Sequence, residues 1–329
     1  MDPVSHAALG AGVGQSGARA QIVLTAGLAA TVAAVAPDLD ALIQSSADPL
    51  LYFEYHRQFT HALVFVPLGA LLCAAALHRF TRAHLTFAKT YGACVLGYLS
   101  HPLLDACTTY GTQLLWPFAS TRFAWNLIAV IDPLFTLPTV ALAALAGLKR
   151  RASLARIAAA WALAYLALGG VQHSRATDAA RELAASRGHE ATRLFVTPAL
   201  GSLLLWKTIY EHDARYYVDA VRTGFRATTI AGETTEKLDL RRHFPWLAAG
   251  SQQAIDVERF RDVAGDYLSI DDDASNRIVD LRYSLVPSEI EGFWAIVLDP
   301  SAPSTKHVEL VTTRENAPEQ ALRLLDMLF

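Results

Sequence analysis

Histidines and aspartates recur in short motifs within the first third of this 329-residue chain: PDLD with Asp38 and Asp40, HRQFTH with His56, Arg57 and His61, and HPLLD with His101 and Asp105. Imidazole and carboxylate together are the donor set of zinc, manganese or iron(II), and this many ligands suit one or two divalent ions. An ion held there would lower the pKa of a bound water and polarise an ester or phosphoryl oxygen. The spacings fit that chemistry. On a continuous helix His101 and Asp105 are four apart and share a face, although Pro102 removes a backbone donor between them. Asp38 and Asp40 point the same way if the chain leaves the preceding helix extended. His56 and His61, five apart, converge only if His56 precedes the helix proper, which puts Arg57 and His61 one turn apart. Arg57 either takes an anionic substrate group or pairs with an aspartate. Asp38, if left off the metal, would act as general base.

These residues sit at the edges of apolar runs. Five stand out: Ala20 to Pro37, Ala62 to Leu77, Thr90 to Leu104, Phe123 to Leu148 and Ile157 to Gln172. Most are somewhat shorter than the ~20 residues that span a bilayer comfortably. Small residues fill them (AAVAA, GALLCAAA, VALAALAGL), as expected where helices pack closely in lipid. The hydrophobic content of 53% and mean hydropathy of +0.26 are high for a soluble protein. The excess lies before about residue 175, so residues 1–174 read as an α-helical polytopic membrane domain of about five spans, with the lipid bilayer as its partner. Cys73, Cys94 and Cys107 lack metal-ligand spacing and read as small buried hydrophobes. A net charge of −3 gives no sign of a nucleic-acid-binding surface.

Loop charges orient the spans. Arg79, Arg82 and Lys89 lie between the second and third segments, and Lys149, Arg150, Arg151 and Arg156 between the fourth and fifth; the alternate loops hold only Arg57 and Arg122. The positive-inside rule places the basic loops in the cytoplasm. The aspartates after Pro37, the HRQFTH histidines, His101 with Asp105, and Asp132 then all fall at outer helix ends. Asp132, followed by Pro133, also reads as a helix cap. His6 is open: a straight helix into the first span leaves it on the cytoplasmic side, whereas a reversal at Gly10, Gly12, Gly14 and Gly17 brings it to the outer face. No basic n-region precedes the first run, so that run is expected to stay in the mature protein.

The set SHAALG, PDLD, HRQFTH and GYLSHPLLDACTTYGTQLLWP resembles the YdjM-like family of bacterial inner-membrane proteins over about the first 135 residues. The resemblance implies a metal-dependent hydrolase with His6, Asp38, Asp40, His56, His61, His101 and Asp105 as ligands, and it favours the re-entrant placement of His6. The serine typical of the family after the second motif histidine is Ala62 here. The HPLLD element is more remotely similar to zinc-dependent phospholipase C, an all-helical enzyme.

Residues 175–329 read as a mainly antiparallel β (α+β) extracytoplasmic domain. LLLWKTIYE, ARYYVDAVRTG, RIVDLRYSLV, GFWAIVLD and HVELVTT are strand-like, EHDA and DPSAPS are turns, and APEQALRLLDMLF is an amphipathic terminal helix. SIDDDASN lacks the full spacing of a calcium loop and reads as a solvated turn. The stretch TPALGSLLLWK resembles longer members of the family, which implies a shared outer module. The chain is thus expected to be a bacterial inner-membrane, multi-pass hydrolase with its C-terminal domain outside. His6, Asp40, His56, His61, His101 and Asp105 would hold zinc, manganese or iron, Asp38 and Arg57 would assist, and the substrate would be an ester or phosphoester of a lipid or envelope molecule. The alternative is a transporter or a metal-binding regulatory or stress protein; a transporter would show internal repeats or broken helices at the midplane, and the sequence has no repeat.

Overall fold

A computed structural model describes residues 1–271, 274–312 and 317–328. The chain divides into two compact units, Met1–Ile43 with Tyr55–Gly170 and Leu200–Ser202, and Gln44–Glu54 with Val171–Ala199 and Leu203–Phe329.

The first unit is built from helices. Asp2 caps α1 (Pro3–Ser16), accepting from Val4 N and Ser5 N with Pro3 at the first position. The glycines that read as turn punctuation lie inside this helix, and only Gly17 closes it. Gly10 faces Ala30 and Ala34 of α2 (Val23–Val35), and Gly14 faces Ala26 and Ala30, so the two helices run antiparallel. A Cβ at Gly10 or Gly14 would collide with the facing alanine methyl; the missing side chain is used for close approach of two helices rather than for a bend.

A short helix, α3 (Leu51–Tyr55), precedes α4 (Val66–Thr81) and α5 (Phe87–Ala106). α5 runs parallel to α2, with Cys94 beside Ala29, Gly97 against the Ala30 carbonyl and His101 beside Ala34. α4 returns antiparallel to it, Gly69 under the Tyr98 ring and His78 at Phe87. The C-terminal ends of α2 and α5 and the N-terminal ends of α1 and α4 therefore gather at one end. Along the length of these helices, Ala26, Ala29, Ala30 and Ala33 pack against Ala70, Ala74, Ala93 and Cys94. α5 continues through Pro102.

Two local expectations are corrected. Asp38 and Asp40 lie in a 3-10 helix, Pro37–Leu42, rather than in an extended exit; Pro37 takes its first position, where its missing N–H is not needed, and Ala36 stays helical. The fourth apolar run is helical only from Pro133. Phe123 pairs with Thr112, and Trp125 N and Leu127 N donate to Ala106 O and Cys107 O, wrapping the end of α5. Asp132 then caps α6 (Pro133–Lys149) and takes the Tyr165 hydroxyl on both oxygens at 2.9 Å, which accounts for it as a cap.

Val23–Leu42, Leu63–Thr81 and Ala152–Ser186 are long and apolar enough to cross a membrane, and Pro133–Lys149 is apolar but shorter. Leu28, Leu72, Leu137 and Leu163 are 58–70% exposed on these helices. In water each would forgo ~1.5–3 kcal/mol of burial; surrounded by lipid it does not. The last of these apolar helices, α7 (Ala152–Ser186), contains the division between the two units. Its 35 residues, at ~1.5 Å each, are more than a ~30 Å apolar layer requires.

The second unit holds two antiparallel sheets. The first is β1 (Arg193–Pro198), β2 (Leu205–His212), β3 (Arg215–Thr223) and β4 (Ala227–Glu236) in sequential order. The second is β5 (Leu268–Asp271), β6 (Ala274–Asp280), β7 (Trp294–Val297) and β8 (Glu309–Thr312), accompanied by α8 (Leu240–His243), α9 (Gln252–Val263) and a terminal α10 (Ala317–Leu328). Each strand-like stretch coincides with a strand in part; Thr313 of HVELVTT and Asp272 and Asp273 of SIDDDASN lie outside the described residues. Segment 44–54 belongs here: Leu50 and Phe53 are buried with Phe244, Phe260 and Leu298. Arg259 clamps it through Asp48 (2.8 Å) and Glu54 (2.5 Å) while also holding Asp256 (2.8 Å).

This packing has two measurable consequences. Gly97→Ala pushes a methyl into the Ala30 carbonyl and is expected to cost about 1–3 kcal/mol; an unchanged thermal midpoint in detergent contradicts the close packing. Lys207 is buried in β2, donating to Ser284 Oγ (2.8 Å) and Glu289 O (2.6 Å), and burial lowers its pKa from 10.5 to about 7. The folded state sheds this proton first, so between those values the unfolded chain binds more protons and stability rises with pH. The urea midpoint of this unit, read by proteolysis of the full-length protein, should climb over that window, and Lys207→Met should flatten the climb. A wild type without the climb would contradict the burial of a basic amine.

Candidate metal centre

Each motif delivers its side chains to the gathered helix ends. His101 and Asp105 project from the last turns of α5, and Asp38 and Asp40 from the 3-10 helix that extends α2. His61 closes a second 3-10 turn, Phe59–His61, just before α4. Arg57 reaches its position with φ = 66°, a left-handed conformation that costs a non-glycine residue energy. Its backbone N–H donates to Asp40 Oδ2 at 3.1 Å, which offsets that cost.

At the centre, four side chains converge: Asp38, His61, His101 and Asp105, the last three fully buried. His101 Nε2 lies 3.3 Å from Asp38 Oδ1 and 3.4 Å from Asp105 Oδ2. His61 Nε2 lies 3.6 Å and 3.3 Å from the same two oxygens. A tetrahedral ion with arms of about 2.0–2.2 Å has ligand–ligand edges of roughly 3.3–3.6 Å. The fifth separation, between the two Nε2 atoms, is 2.9 Å.

The outer nitrogens decide what those Nε2 atoms are. His101 Nδ1 is 2.6 Å from the Ala34 carbonyl, which only accepts, so Nδ1 carries the hydrogen. His61 Nδ1 lies 3.1 Å from Asp40 Oδ2 and donates to it. With Nδ1 the donor on both rings, the two Nε2 atoms face each other and two carboxylates, a group of acceptors that a proton held between the rings or a metal ion neutralises. Such an arrangement repels itself unless a cation lies between, and carboxylate-oriented imidazole is the usual way a metal ligand is fixed. The donor set fits a divalent metal ion.

Around the tetrad lies a shell of orienting groups. Asp40 uses both oxygens: Oδ1 on His56 Nδ1 (2.7 Å), Oδ2 on Arg57 N, His61 Nδ1 and the Thr60 hydroxyl (2.6 Å). Asp105 Oδ1 receives Arg57 Nη2 at 3.1 Å, His6 Nε2 at 3.2 Å and the Met1 amino group. The Arg57 guanidinium also donates to Thr108 Oγ1 at 2.9 Å, so of its two sequence readings the structure shows the aspartate pair. His6 comes in on α1 and stacks on the His101 ring at 3.6 Å. His56 bonds the other oxygen of Asp40 and meets the His61 ring edge-on at 5.8 Å; with Asp38 and Asp40 it forms a second triad able to hold an ion, although its 2.7 Å bond to Asp40 already occupies that pair.

Sequence reasoning missed Thr60, Thr108 and the Ala34 carbonyl. The threonines are visible inside FTH and DACTT; a backbone carbonyl leaves no signal in a sequence.

The comparisons with known proteins agree with the motifs. Residues 1–176 match the model of the family described as YdjM inner membrane protein. The chain belongs to that family. Among relatives, the inner membrane protein YbcI of Escherichia coli (strain K12) is 36% identical over 106 residues, which is 31% of this chain and 60% of that protein. The uncharacterized protein YfhP of Bacillus subtilis (strain 168) is 30% identical over 133 residues, 40% of this chain and 37% of that protein. The matches span less than two thirds of either relative. No solved structure matches.

The geometry separates ligands from orienting groups in a metal titration. His101→Ala/Asp105→Ala should lose the ion found by mass spectrometry on detergent-purified wild type. Asp40→Asn should keep it with affinity lowered ~10–100-fold in chelator competition. Unchanged affinity in Asp40→Asn contradicts its orienting role, and complete loss would make it a ligand.

Proposed function

We propose that this YdjM-family membrane protein is a multi-pass hydrolase that cleaves an ester or phosphoester of a lipid or envelope molecule with the help of a divalent ion. Zinc is the occupant favoured by an N2O2 set, and manganese or iron(II) suits the same donors. In this reading the chain crosses the inner membrane about five times, with the site and the second unit on the extracytoplasmic side. The basic residues of two loops, Arg79 to Lys89 and Lys149 to Arg156, support that orientation.

The observation that carries the proposal is the facing pair of histidine Nε2 atoms bracketed by Asp38 and Asp105. These four side chains would hold the ion, which when bound supplies the Lewis acidity that ester and phosphoester hydrolysis uses. Asp40 and the Ala34 carbonyl keep both imidazoles in the tautomer that offers Nε2. Arg57, 5% exposed, offsets the cost of burying the Asp105 charge. Asp38 is the open member, its side chain 26% exposed where the other three are at 0%. Substrate and water therefore approach from its side, and with Oδ1 on the ion its second oxygen is the one left to accept a proton from the nucleophile.

Turnover tests this directly. Purified protein loaded with zinc or manganese should release product from fluorogenic lipid carboxyl esters or phosphoesters. Asp38→Asn should lower the rate ~10²–10⁴-fold in protein that remains folded by circular dichroism. Metal-loaded wild type that is inactive on both substrate classes would contradict hydrolysis and leave a transport or regulatory role for the site.

A further inference from the structure

The turn joining β3 to β4, Gly224-Phe225-Arg226, holds at its middle a phenylalanine that is wholly exposed, at 108% of its reference area. Arg222 and Arg226 flank it. A large ring held out in water forgoes ~1.5–3 kcal/mol of burial, so its placement asks for a partner. The tip is not loose. Gln172 Nε2 donates to Thr223 O at 2.9 Å, and Arg175 Nη2 donates to Gly224 O at 2.8 Å and to Phe225 O at 3.1 Å. Three backbone carbonyls of the tip are thus bonded to two side chains of α7.

Those two side chains lie where α7 changes character. Leu163, Leu168 and Val171 are exposed on its apolar stretch, and Gln172, His173, Ser174 and Arg175 follow at once. Farther along, Arg187 grips Asp219 in the middle of β3 through both guanidinium nitrogens at 2.6 and 2.9 Å. As the helix proceeds from residue 172 to 187, its partners on β3 recede from the tip, so the tip lies at the residue-172 end of this part of α7. Leu204, 49% exposed, lies beside the tip with its carbonyl bonded to Thr223 N at 2.7 Å.

We propose that this hairpin tip is a membrane-interface anchor, with Phe225 and Leu204 dipping into the boundary between headgroups and acyl chains and Arg222 and Arg226 on lipid phosphates. The inference rests on reading α7 as a span. An aromatic ring between arginines at the depth where a span turns polar is the composition of an interfacial contact: the ring leaves water, and the guanidinium groups stay at headgroup level. The anchor holds one end of the β1–β4 sheet against the bilayer surface, where a lipid substrate would be met.

The test uses full-length protein in nanodiscs of phosphatidylethanolamine and phosphatidylglycerol, with a nitroxide at Phe225→Cys, at Leu163→Cys in the apolar stretch of α7, or at Thr234→Cys near the far end of β4. Labelled wild type serves to subtract the native cysteines. Collision with oxygen and with a water-soluble nickel chelate reports immersion. The label at position 225 should favour oxygen, as at 163, while 234 favours nickel. If 225 behaves like 234 while 163 remains immersed, the anchor is wrong and the span stands. If 163 and 225 both favour nickel, the span reading falls and the anchor with it.

Discussion

Two imidazole nitrogens, His61 Nε2 and His101 Nε2, face each other at 2.9 Å in a site where neither ring touches water. Each ring is committed on its other nitrogen, one to a backbone carbonyl and one to Asp40. Without a positive charge between them, a proton or a metal ion, these nitrogens and the two carboxylates would be an unfavourable gathering of acceptors, and burial makes it more so. A cation inverts the sign of every one of these interactions. The positive groups that surround Asp105, Arg57 above all, compensate only its outward-facing oxygen, leaving Oδ2 for the centre.

Bringing four chain segments to one point demands helices that can approach closely. Larger side chains would hold α1, α2 and α5 too far apart. Gly10, Gly14 and Gly97 remove the obstacle at the contacts themselves, and the alanines of α2 keep the spacing short along its length. The bundle therefore gains dispersion contacts and backbone proximity in an environment where hydrophobic burial between helices contributes little. The register that results places Ala34 O under His101 and His6 against Asp105, so packing and site geometry have a common cause.

Much of the site is legible in the amino-acid sequence. His101 and Asp105 share a helix face because a period of 3.6 puts them there, and the gathering of motifs at one end follows from the alternation of helix directions. The character of the glycines in α1 is not legible, since a glycine that permits a turn and one that permits close packing look alike in sequence. Nor is the division of labour between Asp38 and Asp40: two carboxylates two residues apart point the same way on a strand, and the 3-10 helix sends Asp38 to the centre and Asp40 behind His61. Segment 44–54 gives no sign of belonging to the second unit, because Leu50 and Phe53 find their partners near residues 240–300. From Glu54 the chain passes directly into Tyr55 and the HRQFTH motif.

X-ray absorption at the metal edge of the loaded, detergent-purified protein tests the central claim most directly. The account predicts about four nitrogen and oxygen neighbours at ~2.0–2.2 Å, with the outer-shell scattering of imidazole and no sulfur. A sulfur shell near ~2.3 Å, or a first shell without imidazole, would place the ion elsewhere and contradict the assignment of His61 and His101.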